Sequence, residues 1–83
     1  MKQTLLEVWS QKIINTANNY PFYVNVPQLI EDIGDQYPEF KKLKPLVKGA
    51  LVGKCLTGIG LIKNSRCHGG WVYRRPGIVG PHN

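Results

Sequence analysis

The chain has 83 residues, 42% of them hydrophobic, with eleven Lys or Arg, five Asp or Glu and two Cys, for a net charge of +6. That length suffices for one domain and is short for a multi-step enzyme with its own cofactor cleft. Two cysteines are too few for a disulfide scaffold, no run approaches the roughly 20 apolar residues of a membrane span, and Met1-Lys2-Gln3-Thr4-Leu5-Leu6-Glu7 lacks the apolar core of a signal peptide, so an intracellular protein with reduced thiols is expected.

Thr4-Leu5-Leu6-Glu7 has the form of a capping box, in which the threonine hydroxyl and the glutamate carboxylate each satisfy the other's backbone. Leu5, Leu6, Trp9, Ile13, Ile14 and Ala17 follow at helical spacing and predict an amphipathic helix over 5–18. Asn18-Asn19-Tyr20-Pro21 stops it, because the residue before proline avoids the helical region. Phe22-Tyr23-Val24-Asn25-Val26 is β-branched and aromatic and predicts a short edge strand. Asn25 then caps a second helix with Pro27 in its first turn, Leu29, Ile30 and Ile33 facing inward, Glu31, Asp32 and Asp35 facing water, and an end by Tyr37.

Residues 38–44 read as a connection with at most a helical turn. Pro45 opens a third helix over 45–59, apolar around most of its circumference, with Lys48, Lys54 and Thr57 as its polar points. Gly49 and Gly53 each cost about 1 kcal/mol relative to alanine inside a helix, and they are either plain inefficiency or room for close approach. Two strands follow, over 61–63 and 71–75, joined by the turn-rich basic loop Asn64-Ser65-Arg66-Cys67-His68-Gly69-Gly70. The domain then covers residues 1–75, and the glycine- and proline-rich 76–83 form a loose tail.

The charge is unevenly placed. Residues 1–40 carry two lysines against five acids, a net of −3, whereas 41–83 carry nine Lys or Arg and no acid, a net of +9. A half of one sign makes a face of one sign unless the fold interleaves the halves. Such a face attracts polyanions, because each cation placed at a phosphate releases condensed counterions. Nucleic acid is the leading expectation, ahead of an acidic lipid or an acidic protein.

Three segments carry a family resemblance: Val26-Pro27-Gln28-Leu29-Ile30 at the second helix, Val52-Gly53-Lys54-Cys55-Leu56-Thr57-Gly58-Ile59-Gly60-Leu61 where the third helix turns into a strand, and Gly69-Gly70-Trp71-Val72-Tyr73-Arg74-Arg75 on the return strand. Together with the element order they resemble the winged-helix family of helix-turn-helix domains over about residues 4–75. The resemblance implies an α+β fold of three helices packed with a small antiparallel sheet, and a role as a small double-stranded DNA-binding protein: a transcriptional regulator, replication accessory or nucleoid-associated factor. It puts the third helix in the major groove and the basic hairpin on backbone or minor groove. If Val52, Leu56 and Ile59 face the core, Val47, Ala50, Lys54 and Thr57 face outward. Lys54 then reaches a guanine edge, and Thr57 a phosphate or thymine methyl. Lys41, Lys42, Lys44 and Lys48 would serve phosphates at the helix start, and Lys63, Asn64, Arg66, Arg74 and Arg75 would do so from the wing. The outward stripe is poor in Arg, Asn and Gln, which favours weak or shape-led readout.

Other readings compete. Leu46, Val47 and Leu51 are an apolar excess that would suit an interaction module for an acidic partner protein. Trp71 and Tyr73 share one face of the last strand, where burial is the plain expectation and a stacking platform for single-stranded nucleic acid the alternative. Cys55, Cys67, His68 and His82 match no common zinc spacing, and Cys55 reads as a small core residue. Cys67 and His68 are sequence neighbours without an orienting third group, so neither catalysis nor a cofactor is expected. A palindromic DNA site would call for a homodimer, though the chain has no coiled-coil segment.

Overall fold

The computed structural model describes residues 4–67 and 70–77. Seven elements follow in chain order: α1 (Leu5–Ala17), β1 (Tyr23–Asn25), α2 (Val26–Gln36), α3 (Pro38–Lys41), α4 (Pro45–Gly58), β2 (Ile62–Cys67) and β3 (Gly70–Arg74). The fold is α+β, four helices packed with one three-stranded antiparallel sheet in the order β1-β3-β2. Among the described residues no helix is long and apolar enough to cross a membrane.

The capping box forms as expected. The Thr4 N–H donates to Glu7 Oε1 at 2.8 Å, and the Glu7 N–H donates to Thr4 Oγ1 at 3.1 Å. Helix α1 buries Trp9, Ile13, Thr16 and Ala17. Its C-terminus takes a partner from the far end of the chain: Arg75 donates through Nη2 to Ala17 O and through Nε to Tyr20 O, both at 2.8 Å. Arg75, expected to serve phosphates, has its guanidinium engaged with one carbonyl at the end of α1 and one just beyond it. Arg75→Ala is expected to lower stability by about 2 kcal/mol, the usual value of hydrogen bonds to a charged group. A urea melt measures this, and Arg75→Lys should recover only part of the loss because an ammonium cannot reproduce the fork.

Asn25 caps α2, its side chain accepting from the Gln28 N–H at 3.2 Å. The helix buries Val26, Leu29 and Ile33. Asp32 accepts from the Tyr20 hydroxyl and, at 3.2 Å, from the Gln28 amide. Burial, then the hydrogen bond and the negative charge of Asp32, hold the Tyr20 hydroxyl well above its ordinary pKa.

The segment read as a connection contains a helical turn, α3, and a core anchor. Phe40 is 0% exposed, and its ring meets Trp9 edge-on with centroids 4.9 Å apart. Helix α4 buries Leu51, Val52, Cys55 and Leu56. Burial pushes the Cys55 thiol above its ordinary pKa. Two expectations for this helix are corrected. Ile59, expected inward, is 37% exposed, because the helix ends at Gly58 and Ile59 is its C-cap, outside the helical repeat. Val47, expected outward, packs half-buried against the core.

In the sheet, β3 lies between β1 and β2. Val24 pairs with Tyr73, which pairs with Lys63, while Tyr23 pairs with Arg74, which pairs with Ile62. Directly paired residues share a face. Val24 and Tyr73 are buried, so their row faces the helices and the row of Tyr23, Arg74 and Ile62 is the outer one. Strand β2 is longer than expected: 64–67 belong to it rather than to a loop, and its pairing is interrupted by a β-bulge between Lys63 and Ser65. His68 and Gly69 at the expected loop and residues 78–83 of the expected tail lie outside the described residues.

Candidate nucleic-acid interface

The cations of the C-terminal half divide into three groups. The first surrounds a groove between α4 and the β2–β3 hairpin. Gly49, Ala50, Gly53, Lys54, Thr57, Lys63, Trp71 and Tyr73 line it, and it encloses about 530 Å³. Lys54 and Thr57 are exposed on the α4 side. On the hairpin side, Lys63 Nζ stands 4.8 Å and the Arg66 guanidinium carbon 5.1 Å from the centroid of the Trp71 ring. A cation within about 6 Å of an indole face is drawn by the ring quadrupole. Asn64 occupies the bulge itself, half-buried, with its amide donating to Ser65 Oγ at 3.5 Å.

The second group lies at the start of α4. Lys42 and Lys44 are exposed there, and Lys44 is the N-cap position. Lys48, one turn on, borders an adjoining groove of about 480 Å³ formed with Pro27, Ile30, Leu46 and Trp71. Leu46 is 89% exposed at its rim.

The third group is directed elsewhere. Lys41 Nζ is 3.5 Å from Asp35 Oδ1, and its stem covers Gly34, where a Cβ would sit 2.8 Å from Lys41 Cγ. Both partners are well exposed, so the pair contributes little to stability, but it turns Lys41 toward α2 rather than toward the groove. Arg74 lies on the outer sheet face by register, and Arg75 holds the α1 terminus. Of the eleven residues singled out in the sequence, Lys54, Thr57 and Lys63 line the α4–hairpin groove, Arg66 stands over Trp71 beside it and Asn64 occupies the bulge, Lys42 and Lys44 precede α4 and Lys48 borders the adjoining groove, and Lys41, Arg74 and Arg75 are placed elsewhere.

The exposed side of α4 in this groove is nearly flat. A Cβ on Gly49 would meet nothing within 4 Å, and one on Gly53 would make ordinary contact with the Tyr73 hydroxyl at 3.5 Å. Neither glycine is required by packing within the chain. Gly49→Ala is therefore expected to raise stability by about 1 kcal/mol through helix propensity alone, read as a higher Tm in a thermal melt.

Tyr73 is 3% exposed, so its ring is not presented for base stacking, and Trp71 is half-buried with Lys63 and Arg66 over it. Sequence reasoning weighed Trp71 as core or platform and missed its part as the anchor of two cations. That part depends on the pairing of Arg66 with Trp71 across the hairpin, and the bulge that sets this register has no sequence mark beyond an asparagine. Among the described residues no three His, Cys, Asp or Glu cluster around a metal-sized site. Cys55 sits in the core, whereas the Cys67 side chain, His68 and His82 lie outside the described part. No protein-family model, curated protein or solved structure matches this chain.

Proposed function

We propose that this chain is a winged-helix domain that binds double-stranded DNA, with α4 against the major groove and the β2–β3 hairpin on the adjacent backbone. The observation that carries the reading is the convergence of Lys54, Lys63 and Arg66 on one groove beside an exposed α4 face, in a half of the chain that has no acid. The order helix, strand, three helices, strand, strand, with the short α3 inserted between α2 and α4 and with β3 between β1 and β2, is compatible with that family resemblance. The exposed α4 side chains Ala50, Lys54 and Thr57 offer one cation and two methyl groups, which favours binding led by phosphates and shape. The same reading is open to a transcriptional regulator, a replication accessory or a nucleoid-associated factor.

A fluorescently labelled blunt duplex titrated at two salt concentrations tests it. Binding should weaken steeply with salt. For four to six phosphate contacts the slope of log affinity against log salt is about −4 to −5. Absence of binding at low salt, or binding indifferent to salt, counts against the proposal.

One observation favours a second reading. Leu46 is 89% exposed at the rim of the groove containing Pro27 and Ile30, an apolar patch that suits a protein partner with an acidic border complementary to Lys44 and Lys48. Recovery of one acidic protein on the immobilised chain after nuclease treatment would support this reading over the first.

A further inference from the structure

The hairpin gathers two like charges at one ring. In an unbroken strand, side chains alternate between faces, so positions three apart point to opposite sides. Lys63 and Arg66 are three apart, yet Lys63 pairs with Tyr73 and Arg66 with Trp71, two residues of the same helix-facing side. The bulge makes this possible by leaving Asn64 out of the pairing, so that the count across the hairpin advances by one. Without it Ser65 would face the groove and Arg66 the outer surface. Neither Lys63 nor Arg66 forms an ion pair among the described residues, and the chain has no acid after Glu39. Two gathered cations repel one another. The indole face offsets part of that repulsion, and an anion between hairpin and α4 would offset more of it.

We infer that the Asn64 bulge is a positioning device that builds a phosphate-binding site on the inner face of the hairpin, where Lys63 and Arg66 hold one phosphodiester of the duplex with Lys54 across the groove. The inference rests on the duplex-binding reading and adds which strand face carries the contact. The guanidinium fork can engage two phosphate oxygens, and the lysine adds a point charge. Arg74, on the outer face, takes no part.

The test keeps charge constant and changes only its side. Exchanging the two neighbours, Ser65→Arg with Arg66→Ser, moves the guanidinium to the position paired with Val72 and leaves the net charge at +6. The expected result is affinity for a labelled duplex about tenfold weaker at low salt and a salt slope smaller by about one. The change in Trp emission that duplex causes in the unaltered chain should also be lost. Arg66→Lys keeps the charge without the fork and should recover only part of the affinity. Equal affinity and equal slope in the exchanged variant overturn the inner-face site while duplex binding stands. Failure of the unaltered chain to bind duplex overturns both. If the exchanged variant melts early, Arg66→Gln is compared with Arg74→Gln, the same charge loss on the other face. A larger loss for Arg66 supports the site, and equal losses overturn it.

Discussion

Phe40→Ala should lower the stability of the chain by about 3–5 kcal/mol. Phe40 is fully buried, and it is the residue through which the four-residue helix α3 reaches the core. Its ring stands edge-on to Trp9 of α1 at 4.9 Å, and Trp9 in turn meets Tyr37 edge-on at 6.0 Å. Truncating a buried phenylalanine costs about 3–5 kcal/mol, from lost transfer energy and from the cavity left behind. A domain of this size holds roughly 4–12 kcal/mol in all. The substitution therefore removes a large fraction of the total. Far-UV circular dichroism and a urea melt followed by Trp emission measure it. Phe40→Leu keeps most of the volume, should cost about 1 kcal/mol and should stay folded. A loss below about 1 kcal/mol for Phe40→Ala would show that the ring contributes little to the core.

Replacing Lys54, Lys63 and Arg66 together by glutamine should weaken duplex binding about a hundredfold at low salt and flatten the salt slope by about three. All three are exposed side chains. Their removal leaves the buried set of Trp9, Ile13, Leu29, Ile33, Phe40, Val52, Leu56 and Tyr73 untouched, so the variant should melt close to the unaltered chain. The control is Lys12→Gln with Lys41→Gln. Lys12 stands over the Trp9 and Tyr37 rings, and Lys41 pairs with Asp35, both away from the groove. If position matters, the control should shift affinity by much less per charge removed. If affinity falls in proportion to net charge alone, wherever the charge is lost, the groove is not the contact surface. This measurement separates a defined interface from a diffuse basic surface, which the amino-acid composition cannot do.

Helix α1, the Asn25 cap and the Pro45 start of α4 were legible because each depends on local chemistry or on a short period. A hydroxyl and a carboxylate three residues apart, a proline in a first turn and apolar residues at helical spacing act within one or two turns of chain. Phe40 was not legible. It stands between Glu39 and Lys41-Lys42, with no periodic partner to mark it as inward-facing. Nor was the extent of β2, because Asn64-Ser65-Arg66 has turn composition, and its extended form depends on hydrogen bonds from a strand that follows it.

The candidate site was legible as a set of charges and not as a place. Lys54 was marked by its place on the outward stripe of the third helix, whereas nothing in the sequence set Lys63 and Arg66 apart from the other expected phosphate contacts. Arg75 differed from Arg74 by nothing visible in the chain, yet it holds carbonyls fifty-five and fifty-eight residues away.

Composition and local pattern by themselves determined that this protein has a cationic, acid-free second half, a capped amphipathic first helix, and a proline-started apolar helix followed by strands. Those properties arise from net charge and from interactions within a few residues. The tertiary structure alone decided which cations share a groove, which one caps a helix and which face of the hairpin carries Arg66. Those outcomes depend on strand register and on contacts between segments distant in sequence, where a single extra residue at Asn64 turns a side chain from one side of the sheet to the other.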